Sequence, residues 1–307
     1  MLAVLQGFWL ISVVVGVGWL IAHTKLFDRA GQQVLARLTF WVGSPALLFL
    51  VVARAETSVV FSGFLVATVA GIVVTSIVYL VLARSLLSRT WTQSVMGGMS
   101  VSYVNSNNLG VPIAIYVLGD ASWAAPIVLL QLTILQPLWL AMLDSSQGGR
   151  VSWGRLLRAP FTNPLTVGSL LGLTVSLTGV RIPEMVEAPL ELIGGMAIPG
   201  MLIVFGISLR LSPLPRGRDS LLDMGIVAAL KLVLMPAVVW LVAGPILGLA
   251  AHEVLAAVVM ATLPTAQNVY LLAVAYGRGE AVARNAVFLT TVLAMPAMLV
   301  VVALMGG

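Results

Sequence analysis

Long apolar runs separated by short polar turns dominate the chain. Runs of spanning length fall at about 2–22, 33–53, 58–82, 94–118, 123–143, 164–181, 189–211, 222–249, 252–276 and 283–305. A helix needs roughly twenty apolar residues to cross a ~30 Å hydrocarbon layer, so the pattern predicts ten membrane-spanning helices. Several runs are interrupted by Pro or Gly, which a span tolerates where neighbours bury it. The first run has no Lys or Arg before it and no small-residue cleavage site after it. Leu2–Ala22 is therefore expected to be a retained span, not a signal peptide.

Composition sharpens that picture. Of 307 residues, 60% are hydrophobic and only 9% charged, with a mean hydropathy of +1.08. Soluble domains carry roughly 25% charged residues, so lipid must solvate much of this surface, and no room is left for a soluble catalytic domain. The absence of cysteine removes disulfides and thiolate metal sites. The two histidines, His23 and His252, fall in short connections without metal-ligand spacing, and no cofactor or metal is expected. The net charge of +5 does not form a basic stripe, so nucleic acid is not an expected partner.

Instead, the basic residues mark alternate loops. Lys25, Arg29 and Arg37; Arg84 and Arg89; Arg150, Arg155 and Arg158; Arg210, Arg216 and Arg218; and Arg278 and Arg284 make thirteen of the sixteen. Arg54 and Arg181 occupy the even loops, and Lys231 lies inside a span. The positive-inside rule then puts the odd loops in the cytoplasm and both termini outside a multi-pass inner (plasma) membrane protein.

The two halves echo one another. Ser44-Pro45-Ala46-Leu47 in span 2 resembles Ile198-Pro199-Gly200-Met201 in span 7, Pro112 in span 4 is matched by Pro264 in span 9, and Pro137 in span 5 by Pro296 in span 10. Each match is separated by about half the chain. A five-span unit re-enters the membrane from the opposite side, so the copies are expected to be inverted, an arrangement typical of secondary transporters with a midplane site. The expected organisation is 1–143 as the first repeat, 144–163 as a short cytoplasmic connection and 164–307 as the second repeat.

Polar residues concentrate at two predicted helix breaks. Span 4 reads Asn105-Ser106-Asn107-Asn108-Leu109-Gly110-Val111-Pro112, and the helix is expected to break at Pro112, which lacks an N–H and clashes with the preceding turn. Span 9 reads Thr262-Leu263-Pro264-Thr265-Ala266-Gln267-Asn268, with a comparable break. Half-helices starting there present free N–H groups and a partial positive charge, suited to an anion. All eleven Asp and Glu fall in loops or within about a turn of an interface. Without a carboxylate at mid-membrane, an anionic solute is favoured over a cation. Lys231, about nine residues into span 8, is either a counter-charge for that solute or a partner for freed backbone carbonyls. Gln131 and Gln136 in span 5 fit interhelical hydrogen bonding.

At these residues the chain resembles the auxin efflux carrier family, in its bacterial carboxylate-carrier form and more distantly the plant PIN-FORMED auxin exporters. Asn105–Ile113 resembles the family's Asn-rich Gly-Ile-Pro segment. Leu263-Pro264 with Gln267, Tyr270 and Tyr276-Gly277 resembles its helix 9, and Asn163-Pro164 through Gly172-Leu173 its helix 6. The resemblance implies an all-α fold of ten transmembrane helices in two inverted five-helix repeats. Helices 1, 2, 6 and 7 would form a dimerising scaffold, and helices 3–5 and 8–10 a transport domain that moves like an elevator. Broken helices 4 and 9 would cross at Pro112 and Pro264, with a substrate carboxylate beside Asn105 and with Asn163 nearby. The substrate-binding set expected from residues and resemblance together is Asn105, Asn107, Asn108, Pro112, Asn163, Pro264, Gln267, Asn268 and Lys231. The function expected is secondary transport of a small organic anion, exported or exchanged. A cation-coupled importer is the alternative; an intramembrane enzyme, which lacks paired Asp residues or a metal set in its spans, and a solute sensor, for which no signalling domain is expected, are less favoured. Many plant members carry a long central loop that this chain does not have.

Overall fold

Hydrocarbon offers no hydrogen bonds, so a lipid-facing segment must satisfy its own backbone as helix. A computed structural model of the chain follows that rule. It describes residues 2–54, 62–146, 154, 161–211, 218–276 and 279–305, and among these only a single pair of residues bridges in β fashion. Helix α1 (Leu2–His23) is followed by α2 (Arg29–Leu38) and α3 (Ser44–Arg54), which run on as one 26-residue rod. Then come α4 (Gly63–Ser85), α5 (Trp91–Ser102), α6 (Val111–Tyr116), α7 (Ala125–Leu130) and α8 (Gln136–Ser146). The second half contains α9 (Pro164–Thr178), α10 (Glu184–Gly195), α11 (Ala197–Leu211), α12 (Arg218–Ala229), α13 (Met235–Leu241), α14 (Ala251–Ala261), α15 (Gln267–Tyr276) and α16 (Glu280–Met305).

Seven helical stretches among the described residues are long and apolar enough to cross a membrane. The other three expected spans fall on segments that are short or cut. Run 164–181 yields the 15-residue α9, and runs 94–118 and 252–276 are each divided in two, as α5/α6 and α14/α15. Most of the expected connection 144–163, including Trp153, Arg155 and Arg158, lies outside the described residues, as does Gly277.

Proline placement follows one rule four times. A widened, π-type turn covers Thr39–Gly43, Ser106–Gly110, Gln131–Leu135 and Leu230–Leu234, and in each case proline is the second residue after it: Pro45, Pro112, Pro137 and Pro236. Widening the turn moves the carbonyl that the ring would strike and uses the missing N–H where none is needed. These prolines therefore shift the helix register without breaking the rod.

Helices α1 and α11 pack along their lengths, as do α3 and α9, with α10 also against α3. Separately, α4 packs on α5 and α13, while α16 lies against α12, α5 and α15. The α3–α9 contact depends on bare backbone. A Cβ at Gly168 or Gly172 would come within 2.5 Å of the carbonyl oxygen of Pro45 or Phe49. Small residues at such crossings let helices approach closely in lipid, where packing rather than hydrophobic exclusion drives association. Near the helix ends Arg54 pairs with Glu187 at 2.6 Å and also with Glu191. Arg89 pairs with the buried Asp223 at 2.9 Å.

Candidate functional site

The two interruptions meet. Val104, just past the end of α5, forms an antiparallel bridge with Thr265, between α14 and α15. The Asn105 N–H donates to the Pro264 carbonyl at 2.8 Å, and the Ala266 N–H donates to the Tyr103 carbonyl at 3.0 Å. In such a pairing the polar groups of the two central residues point outward and need partners from elsewhere. Gln131 supplies them for Val104: its Oε1 accepts from the Val104 N–H at 2.8 Å, and its Nε2 donates to the Val104 carbonyl at 3.0 Å. Gln131 Nε2 also reaches Ser106 Oγ at 2.7 Å, and the Tyr103 hydroxyl donates to Gln136 Oε1 at 3.0 Å. On the other strand Thr290 Oγ1 accepts the Thr265 N–H at 3.0 Å, while the Thr265 hydroxyl donates to the Ser100 carbonyl at 2.7 Å. A residue from the following helix thus ties down each break, Gln131 for the first and Thr290 for the second.

One expectation needs correction here. Span 4 does not break at Pro112 but eight residues earlier, across Tyr103–Asn105, where the backbone leaves the helical conformation. The widened turn Ser106–Gly110 accommodates Pro112, which sits buried at the start of α6. The counterpart of the Pro264 break is therefore Val104, and not Pro112.

A cavity of about 410 Å³ opens beside the bridge, lined by Asn105, Asn107, Asn108, Asn163, Gln267 and Asn268. Six of the nine expected site residues are brought together there. Pro264 contributes through its backbone carbonyl, and Pro112 lies outside the lining. Lys231 lies outside it too. It is fully buried in the widened turn before α13, and its Nζ lies 3.1 Å from Met235 Sδ, its single polar partner among the described residues. The structure therefore does not bring Lys231 together with the other expected site residues.

Helix starts face the cavity. Asn105 Oδ1 accepts from the Asn108 N–H at 3.3 Å, and Asn163 Oδ1 accepts from the Leu165 N–H at 3.0 Å as the cap of α9. The first residue of α15 is Gln267, whose Nε2 donates to Ser208 Oγ on α11 at 2.9 Å. Four buried polar atoms in the lining have no hydrogen-bond partner among the described residues: Asn105 Nδ2, Asn107 Oδ1, Thr39 Oγ1 and Ser44 Oγ. Unpartnered polar atoms are costly in such surroundings, and the four residues that carry them all line this one space.

Three lining residues escape the sequence reading. Thr39 and Ser44 look like ordinary helix positions until the widened turn at Thr39–Gly43 brings both onto the cavity. Arg37 reads as a loop topology marker but lies in the last turn of α2, lines the cavity and makes no ion pair among the described residues. The proline two residues beyond the widened turn was the available signal.

Comparison with known proteins decides the family. The family model described as "Membrane transport protein" matches residues 4–302. The chain belongs to that family, the auxin efflux carriers. A protein of Rhizobium meliloti (strain 1021) named "Putative malonate transporter" is 26% identical over 285 residues, covering 88% of this chain and 87% of that one. As an auxin efflux carrier family member, the protein is a multi-pass membrane transport protein.

Proposed function

We propose that this protein is a secondary carrier of small carboxylates, malonate-like dicarboxylates among them, held at the paired breaks. The observation that carries the reading is the gathering of Asn105, Asn107, Asn108, Asn163, Gln267 and Asn268 around one cavity, with the helix starts at Asn105, Asn163 and Gln267 among them. Neutral amides, hydroxyls and helix N-termini bind anions without a resident base. One carboxylate is bound by Asn105 and the hydroxyls, and Arg37 takes the second. The name of the Rhizobium relative supports the substrate class.

The wider architecture proposed is ten spans in two inverted repeats, 1–143 and 164–307. The separate packing of α1–α3 with α9–α11, and of α4, α5, α12–α14 and α16 with one another, supports a scaffold and a transport domain. The scaffold is proposed to dimerise, the transport domain to move past it as an elevator, and the protein to sit in the inner membrane with both termini outside. Net movement is export or exchange. A monoanion leaving a cell at about 100 mV, negative inside, gains roughly 2.3 kcal/mol per charge without a coupling ion.

The test is binding and uptake of malonate by purified and reconstituted protein. Malonate raises the unfolding temperature of the native protein by mass action and enters proteoliposomes under voltage alone. Asn105→Ala weakens binding about 30-fold or more, the loss expected of a charge-assisted hydrogen bond at roughly 2–3 kcal/mol, and remains folded in detergent. Unchanged affinity in that variant removes Asn105 from the site. Uptake that stops without a Na⁺ or H⁺ gradient at fixed voltage refutes uncoupled movement.

A further inference from the structure

A second cavity of about 390 Å³ adjoins the first, and nothing in the reading above uses it. Three arginines line it: Arg29 from the first turn of α2, Arg37 from its last, and Arg284 from the second turn of α16. No Asp or Glu is among the described residues of its lining. The nearby Asp28 is turned back onto the Gly31 N–H at 2.9 Å. None of the three guanidiniums has a carboxylate partner among the described residues: Arg29 reaches the Leu211 carbonyl at 3.5 Å, and Arg284 reaches Asn285 Oδ1 at 3.3 Å. Arg37 and Gln267 line both cavities, so the two spaces share a wall.

Guanidiniums without carboxylate partners along one cavity focus a positive field and present forked donors that match carboxylates. Charge alone does not make a site, but here it adjoins a chamber with unfilled donors and shares with it one arginine. We propose that this cavity is a capture site for free dicarboxylates, which Arg29 and Arg284 attract and Arg37 transfers to the chamber at the paired breaks. The proposal rests on the reading that the cargo is a carboxylate, and it adds a selectivity that the breaks alone do not supply. Capture by charge favours dianions over monoanions, whereas amide and hydroxyl donors at Asn105 bind either.

The experiment measures uptake of malonate and of propionate into proteoliposomes of phosphatidylcholine alone, so that no anionic headgroup competes, at low ionic strength. The variants are the double substitutions Arg29→Gln with Arg284→Gln, and Arg29→Lys with Arg284→Lys. The Gln pair raises the malonate KM about tenfold and the propionate KM about threefold, because the Coulomb energy doubles with ligand charge and the fold-change is squared. kcat changes little, the Lys pair restores both values, and about 0.5 M salt abolishes the difference. An unchanged malonate KM at low salt, equal changes for the two acids, or an effect that emerges only when phosphatidylglycerol is added overturns the capture site. In each of these cases malonate uptake sensitive to Asn105→Ala leaves the proposed function standing. Failure of the native protein to bind or transport any carboxylate overturns both.

Discussion

Single side chains decide whether a broken helix survives inside a membrane. Gln131 satisfies the N–H and the carbonyl of Val104 at once, standing in for the missing neighbours of an isolated bridge. Gln131→Leu leaves both groups and the Ser106 hydroxyl without that partner. At roughly 1–3 kcal/mol for each buried group left unpaired, the variant unfolds several degrees lower than the native protein in a detergent melt. Lys231 behaves in the opposite way. It is a fully buried amine beside a thioether, away from either cavity. Removing an uncompensated buried amine relieves a desolvation cost, so Lys231→Met melts no lower than the native protein and changes affinity for mono- and dicarboxylates by the same factor. A selective loss of dicarboxylate affinity would return Lys231 to the substrate site. The sequence shows that Gln131 and Lys231 lie inside spans, but their roles depend on which neighbour faces them, and that information is not local.

Elements fared unevenly for a related reason. Apolar length is a property of consecutive residues, so the seven long apolar helices are legible directly, as is the crowding of amides at Asn105–Asn108 and Gln267–Asn268 that the structure places around one cavity. The break in span 4 is not. Proline suggests Pro112, but the widened turn Ser106–Gly110 absorbs the ring and moves the interruption to Tyr103–Asn105. Register choice of this kind is set by tertiary partners, here Pro264 and Gln131, and a helix pattern read one residue at a time does not contain them. Close helix contact is more easily foreseen, because Gly168 and Gly172 lie one turn apart in α9. Gly172→Leu would drive a side chain into the Phe49 carbonyl, 2.5 Å from the position of its Cβ. Overpacking of about 1–3 kcal/mol or more follows, read as lower yield and a lower melting temperature. Gly179 at the end of the same helix has φ near +65° but open space around it, so Gly179→Asn is tolerated far better.

At the scale of the whole molecule, the elevator proposal can be tested at one hydrogen bond between its two proposed bodies. Gln267 on α15 donates to Ser208 on α11 at 2.9 Å, joining a broken helix of the transport domain to a continuous helix of the scaffold. A single neutral hydrogen bond contributes only about 0.5–1.5 kcal/mol net, weak enough to part on every transport cycle. A covalent bond there would not part. The chain has no cysteine, so Ser208→Cys with Gln267→Cys introduces the only thiols, and oxidation of the pair is read directly by gel shift under non-reducing conditions. If the transport domain must slide past α11 to carry its cargo, the oxidised double variant stops transport and reduction restores the rate of the reduced double variant, whatever that rate is. Each single-cysteine variant is indifferent to oxidant. Malonate affinity in the locked form matches that of the reduced double variant, because the cavity and the bridge between Val104 and Thr265 are assembled alike in both. Full turnover in the cross-linked protein would mean that α15 and α11 stay together throughout the cycle, and the moving boundary would have to be drawn elsewhere.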